Sequence, residues 1–425
     1  MSEDTIRKEV LENGLTIITE RVEHIRSIAL GIWLKKGSQD ESNEDAGVYH
    51  FIEHMLFKGT QKRNAYEIAK IIDSIGGYTD AFTSKENTCF YAKMLDEHLP
   101  VVLELFSDIL IDPVFDPVEI DRERKVILEE IKMVEDTPAD LVHEVFLENF
   151  WPGHPLGRPI LGSVDTVNSF NQELLRDCFE SNYVPPNMVI AAAGNLDHDD
   201  IVREIRKYFQ LQRSGDSFST EMHPPNPKSL VLLRPKVDLE QAHICLGTMA
   251  YSARSESRYA AGILNVILGG SMSSRLFQKI REERGLCYTV YSSMNPFDET
   301  GYLTIYAGTS PESVHTAIEL ILQECRSLVT KAVSAEELEN AKNHLKGSLM
   351  LSLESSSSRM FSLAKNDMTY GRQILADEVL ERIGNVTLED VQHVAMELFQ
   401  HSDYGIVVVG DLEDLNVKID EFQTH

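Results

Sequence analysis

The segment Tyr49-His50-Phe51-Ile52-Glu53-His54-Met55 sets two imidazoles four residues apart, with a carboxylate immediately before the second. On a helix, where each residue advances about 100°, His54 lies about 40° from His50 and Glu53 about 60° to the other side. One face carries all three. Two neutral imidazoles at this spacing reach a single tetrahedral zinc, which leaves Glu53 beside the ion to take a proton from a bound water. The competing reading is a surface pair that arose by chance. With 14 histidines in 425 residues, chance produces such a motif on the order of a few per cent of the time, so a third ligand is required.

The helical stretch after Asp116-Pro117 offers one. Ile120, Val126, Ile127, Ile131 and Val134 mark an apolar stripe, and Glu123 and Glu130 lie within it seven residues apart, whereas Glu129 falls with Arg122, Lys125 and Lys132 on the wet face. A carboxylate inside an apolar stripe is costly unless it is paired or bound to a metal. Glu130 is therefore the better ligand and Glu123 the candidate support behind it, the alternative being a structural salt bridge.

These side chains need elements to hold them. Ser42-Asn43-Glu44-Asp45 supplies an N-cap with a Ser-x-x-Asp box, Gly59 supplies a stop, and Val48, Phe51, Ile52, Met55 and Leu56 form the apolar stripe between. Strand-like runs at 15–19, 28–34 and 189–193, and again at 230–233, 290–293 and 405–409, alternate with amphipathic helical patterns, including 98–110 and 311–328. Ser27-Ile28-Ala29-Leu30-Gly31 reads like His243-Ile244-Cys245-Leu246-Gly247 at an offset of 216, Gly194 and Gly410 repeat that offset, and Tyr91-Ala92 matches Tyr306-Ala307 at 215. One unit has been duplicated. The expected class is α+β: two homologous mixed α/β domains, each an antiparallel-rich sheet flanked by helices. A chain of 425 residues exceeds the roughly 250–300 at which one core stops growing. The Ser- and Pro-rich stretch 213–228 reads as the linker between domains at 1–212 and 229–425.

Lys and Arg number 40 against 68 Asp and Glu, for a net charge of -28. Such a chain repels phosphate backbones and anionic headgroups, so no nucleic-acid or membrane partner is expected. Acidic residues through 1–21 leave no basic start or apolar run for an export or transit signal, and no run of 18 apolar residues occurs. Cys89, Cys178, Cys245, Cys287 and Cys325 are odd in number and scattered, which fits a reduced, cytoplasmic setting.

His50-Phe51-Ile52-Glu53-His54-Met55-Leu56-Phe57-Lys58-Gly59-Thr60, followed by Glu130 in Val126-Ile127-Leu128-Glu129-Glu130-Ile131, resembles the inverted-motif zinc peptidases of the pitrilysin/insulinase family along essentially the whole chain. It is most similar to the bacterial members and to the mitochondrial processing peptidase β-subunit. The resemblance implies that His50, His54 and Glu130 hold zinc, that Glu53 is the general base and that Glu123 supports the site. The implied activity is that of a zinc-dependent endopeptidase cutting extended or unfolded peptides inside a chamber of two domains arranged as a clam shell.

The resemblance also covers Ile280-Arg281-Glu282-Glu283-Arg284-Gly285-Leu286-Cys287-Tyr288, in which Arg281 and Tyr288 are implied to reach substrate. Without it, Arg281 reads as a solvated helix charge and Tyr288 as a strand-core aromatic. Asp80, Ala81 and Phe82 correspond to the edge strand onto which substrate adds, with a plain hairpin as the alternative. Positions 50, 53 and 54 map by the 216 offset onto Val266, Gly269 and Gly270, and Glu130 maps onto Leu345 or Lys346, so one zinc per chain is expected. Gly269-Gly270-Ser271-Met272-Ser273-Ser274-Arg275 lacks a P-loop lysine and reads as a helix cap. Full-length insulinase-type relatives carry four such domains, which implies a homodimer or pairing with a related subunit. Two other classes stay open: a non-catalytic docking subunit, which the complete His/Glu set argues against, and a zinc hydrolase acting on something other than peptides.

Overall fold

The computed structural model describes residues 5–210, 223–400, 403–415 and 417. The strands among them are β1 (Ile6–Val10), β2 (Thr16–Arg21), β3 (Ser27–Leu34), β4 (Tyr78–Thr83), β5 (Thr88–Leu95), β6 (Met188–Gly194), β7 (Leu230–Pro235), β8 (Ala242–Ala250), β9 (Cys287–Pro296), β10 (Gly301–Thr309) and β11 (Tyr404–Gly410). The helices are α1 (Val48–Leu56), α2 (Ala65–Ser74), α3 (Leu99–Ile111), α4 (Pro117–Asp136), α5 (Pro138–Phe150), α6 (Val164–Ser169) and α7 (Gln172–Asn182). They continue with α8 (His198–Tyr208), α9 (Arg258–Leu268), α10 (Val314–Thr330), α11 (Ala335–Ser352), α12 (Ser356–Tyr370), α13 (Ala376–Asn385) and α14 (Leu388–Phe399). None of these helices is long and apolar enough to cross a membrane.

The first unit comprises Met1–Lys132, Arg158–Glu221 and Leu351–Leu375. Its six-stranded sheet runs β1-β2-β6-β3-β5-β4, with β2 and β6 parallel and every other pair antiparallel. All seven residues of central β6 are buried, as expected of a strand covered on both faces. On one face, Phe51, Ile52 and Met55 of α1 join Leu103 and Phe106 of α3 and Phe179 of α7 in a single core. On the other lies α12, whose Met360, Leu363 and Ala364 pack on Ile18, Ala29, Trp33 and Ala191.

The second unit comprises Met133–Gly157, Met222–Met350 and Ala376–His425. Its five-stranded sheet runs β7-β11-β8-β10-β9, again with one parallel pair, β7 with β11. This reproduces the first sheet without its β1 edge. Gly31 and Gly247 stand on the corresponding strands β3 and β8, and Tyr91 and Tyr306 on β5 and β10, which bears out the duplication.

The expected boundaries need correction. Residues 133–157 belong with the second unit and 351–375 with the first, so neither 1–212 nor 229–425 is a compact unit. The exchanged pieces are equivalent helices: α5 covers β8 and β11, while α12 covers β2, β3 and β6. Glycines seat α5, since a Cβ on Gly247 would meet Phe146 at 2.5 Å and one on Gly405 would meet the same ring at 2.7 Å. Because the two sheets are copies, an apolar helix face suits either one, and periodicity alone cannot say which it covers. Residues 213–222 of the expected linker lie outside the described residues.

Candidate metal centre

Helix α1 begins later than the sequence suggests. Ser42 and Asp45 bond to each other rather than cap it, and the N-cap is Gly47, at φ 96°. A Cβ there would meet the Leu161 carbonyl oxygen at 2.6 Å, so both the left-handed backbone and the space call for glycine. Glycine has no side chain to satisfy the first amides. Glu41 does so from six residues away, accepting from Gly47 N at 2.8 Å and Tyr49 N at 3.1 Å. Burial pushes the Glu41 carboxyl up to about 8 against these donors and Arg158. The helix then ends at Leu56, with Phe57 rather than Gly59 at its cap.

His50, His54 and Glu130 come together as the sequence predicts, each offering one ligand atom within 4.8 Å of the others. Glu130 Oε2 lies 3.7 Å from Nε2 of both imidazoles. Tetrahedral bonds of about 2.0–2.2 Å put donor atoms about 3.3–3.6 Å apart. Both carboxylate–imidazole spacings therefore match one zinc after a contraction of tenths of an ångström, and the two imidazole donors lie within 4.8 Å of each other. Burial and the neighbouring His54 pull His50 down to about 3, so its ring is neutral and able to donate a lone pair. The other nitrogen of that ring, Nδ1, is buried without a protein partner.

Glu123 stands behind His54, as expected. Its Oε2 accepts from His54 Nδ1 at 3.1 Å, and its Oε1 accepts from Lys58 Nζ at 2.8 Å. Burial works to raise the Glu123 carboxyl, but the His54 and Lys58 hydrogen bonds outweigh it and hold it below its ordinary value. At His54 burial works downward, and the Glu123 bond with the surrounding carboxylates overrides it, so that imidazole is raised. Along α4 the buried stripe is Ile120, Glu123 and Ile127. Val126, expected inside it, is 43% exposed and shares the open face with half-buried Glu130. Glu129 pairs with Lys132 on the wet face, as expected.

Glu53 is buried on α1, and burial raises its carboxyl to about 7. Its Oε2 accepts a 2.6 Å hydrogen bond from Thr83 Oγ1, at the end of edge strand β4. Alternation along that strand sorts the expected substrate residues. Ala81 packs with the α1 core. Phe82 packs edge-on against Tyr91 and tilted against Phe361 on the α12 side, and Asp80 accepts from the Tyr78 and Tyr91 hydroxyls. The side chains of Asp80 and Phe82 are thus not on the Glu53 face. Thr83 is, and sequence reasoning missed it, although its parity with Ala81 was a usable signal. Lys58 lies within the motif but, like Glu41, carries no local signal of its contact.

Arg281 and Tyr288 meet each other in the second unit. The Arg281 guanidinium lies 4.5 Å from the Phe277 ring centre and 5.1 Å from that of Tyr288, on a π-helical turn over Phe277–Glu282. Tyr288, read from the bare sequence as a core aromatic, is 79% exposed at the start of edge strand β9.

Two family models match the chain: insulinase (peptidase family M16) over residues 16–164 and peptidase M16 inactive domain over residues 169–345. The chain is 41% identical to the uncharacterized zinc protease YmxG of Bacillus subtilis, over 95% of this chain and 98% of that protein. It is 39% identical to an uncharacterized zinc protease of Streptomyces coelicolor, over 96% and 90% respectively. Among solved structures, a protease from Helicobacter pylori shares the fold at TM-score 0.89 and 21% identity, covering 95% of this chain and 99% of that one. A peptidase M16 inactive domain from Pseudomonas fluorescens does so at 0.88 and 20%, covering 96% and 98%.

Proposed function

The chain belongs to the insulinase family of zinc peptidases, peptidase family M16, and from that premise we propose that it is an endopeptidase that hydrolyses extended peptides with Glu53 as general base. The observation that carries this reading is the convergence of His50, His54 and Glu130 donor atoms beside the Glu53 carboxyl. A bound zinc would polarise the scissile carbonyl and bring the pKa of its water down to about 7. His50 presents a neutral nitrogen, His54 would release its proton on binding the ion, and Glu130 supplies a carboxylate oxygen.

Glu53 takes the proton of the attacking water and passes it to the leaving amine. A buried carboxyl near 7 is matched to that two-way transfer at neutral pH. Thr83 occupies Oε2 and leaves Oε1 to receive the proton. The free edge of β4 offers main-chain groups on which an extended segment adds as a further strand, which favours unfolded stretches over compact ones. Arg281 and Tyr288 of the second unit serve as donors to the developing oxyanion. The peptide-binding partner set is completed by a second copy of this chain or a related subunit, and the setting is cytoplasmic.

The test pairs metal analysis with Glu53→Gln. Wild type should carry about one zinc per chain and cut members of a mixed peptide library in a chelator-sensitive manner, while E53Q keeps the metal and loses cleavage. Equal behaviour of the two proteins would mean a non-catalytic scaffold. Cleavage absent from the library but present on another ester or amide would mean a different zinc hydrolase.

A further inference from the structure

A lysine outside the His/Glu set completes a continuous line of contacts into it. Lys58 follows Phe57, the cap of α1, and its amide closes the last turn on the Met55 carbonyl. It is four residues beyond His54, so its side chain turns back along the face that carries that imidazole. Its Nζ reaches Glu123 Oε1 at 2.8 Å, Glu123 Oε2 receives the His54 Nδ1 proton at 3.1 Å, and His54 Nε2 faces Glu130 Oε2 at 3.7 Å. The Glu123 side chain is only 6% exposed, and that of Lys58 31%.

Resting on the zinc reading above, we propose that Lys58 is a positioning residue, which clamps the Glu123 carboxylate so that the His54 ring presents Nε2 to the metal. Charge supports this as well as geometry. Glu53, Glu123 and Glu130 form a group of three carboxylates in one partly buried site. A divalent cation neutralises two of them, and Lys58 neutralises the third. Without Lys58, Glu123 would be a buried carboxylate with one partner in place of two, free to turn away from His54. That turn frees the ring to rotate Nε2 away from the position in which it faces Glu130. Partners behind a ligating histidine commonly change metal affinity by about 10–100-fold.

The experiment measures zinc affinity, by competition with a chromophoric chelator, on full-length protein stripped of metal. K58M keeps the aliphatic stem and removes the charge, K58R keeps the charge, and K62M removes an equal charge from a lysine that pairs with Asp108 at 3.6 Å, away from Glu123. Zinc affinity should fall roughly 10–100-fold in K58M, return to within about threefold of wild type in K58R, and stay unchanged in K62M. Melting of the metal-free proteins is followed alongside. A K58M protein with wild-type zinc affinity overturns the proposal, as does an equal loss in K62M, which would reduce the effect to net charge. Should K58M fail to fold, K58Q, which retains a donor to Glu123, takes its place with a loss of at least about fivefold expected and wild-type affinity again decisive against it. A wild-type protein that binds no zinc would instead overturn the peptidase reading, a distinct result.

Discussion

Thr83 Oγ1 donates a 2.6 Å hydrogen bond to Glu53 Oε2, joining the last residue of edge strand β4 to the carboxylate beside the metal ligands. The bond fixes one oxygen of a flexible side chain, and it does so from the strand on which an extended peptide would pair. Thr83 itself is held by its pairing with Thr88, whose hydroxyl is anchored on the Lys36 carbonyl. The Glu53 carboxylate is therefore aimed by the sheet as well as by its own helix.

Thr83→Val should lower kcat by roughly tenfold, the scale of about 1.4 kcal/mol for one lost charged hydrogen bond. KM and zinc content should hold, because Val preserves shape and the metal ligands are untouched. Thr83→Ser should restore most of the rate. Steady-state kinetics on one library-derived peptide checks this, and a T83V enzyme at full kcat would remove Thr83 from the mechanism.

His50, Glu53, His54 and Glu123 were legible because they obey local rules, whereas Glu130 lies on the open face of α4 beside Val126, outside the buried stripe that singled it out. His50, Glu53 and His54 share a face by helical period alone, and Glu123 shows itself as a carboxylate inside the buried stripe of α4. What stayed hidden depends on contacts distant in the chain. Nothing near Gly47 announces that Glu41 caps α1, and a strand's alternation does not say which face turns toward Glu53, so Asp80 and Phe82 were grouped with Ala81. The likeness of the two sheets followed from the duplication, yet the exchange of α5 and α12 did not, because two copies of one sheet accept the same helix face.

Zinc should stabilise the protein through these three ligands. A ligand bound only by the folded state adds about 2.7 kcal/mol at a free concentration of 100 times Kd, so melting with zinc should exceed melting with chelator by several degrees. His50→Ala should abolish that difference while leaving the chelator-treated melting point nearly unchanged. A zinc shift that survives in H50A would point to binding elsewhere.

Glu41 predicts a pH dependence of the α1 region. Its folded carboxyl stands at about 8 against an ordinary value of 4.5, so between these values the folded state holds a proton that the unfolded chain has released. That contribution is full below about 4.5 and is lost as pH rises through about 8, by an amount on the order of a few kcal/mol. Glu41→Gln lacks the titration. In urea denaturation with chelator present, the stability of wild type relative to E41Q should fall from pH 5 to pH 9. A difference that is flat across that range would show that Glu41 is ionised throughout.

Gly247 offers the sharpest check on the exchanged helix. A Cβ on Gly247 of β8 would meet Phe146 of α5 at 2.5 Å and the Leu303 carbonyl oxygen at 2.7 Å. Both neighbours are fixed, one by ring packing against Phe150 at a 5.0 Å centroid distance and the other by the β8–β10 ladder. Gly247→Val should therefore cost about 1–3 kcal/mol by overpacking. Replacing Phe146 by Leu in the same protein should recover part of that loss but not all of it, since the carbonyl contact remains. Gly262 is the matched control, a glycine inside α9 whose added Cβ would meet only Leu345 at 3.8 Å. There alanine should be neutral or stabilising by up to about 1 kcal/mol. Urea unfolding of Gly247→Val, Phe146→Leu, their double variant and Gly262→Ala decides the matter: if Phe146→Leu leaves the Gly247→Val penalty untouched, the strain lies wholly in the sheet and α5 does not rest on that glycine.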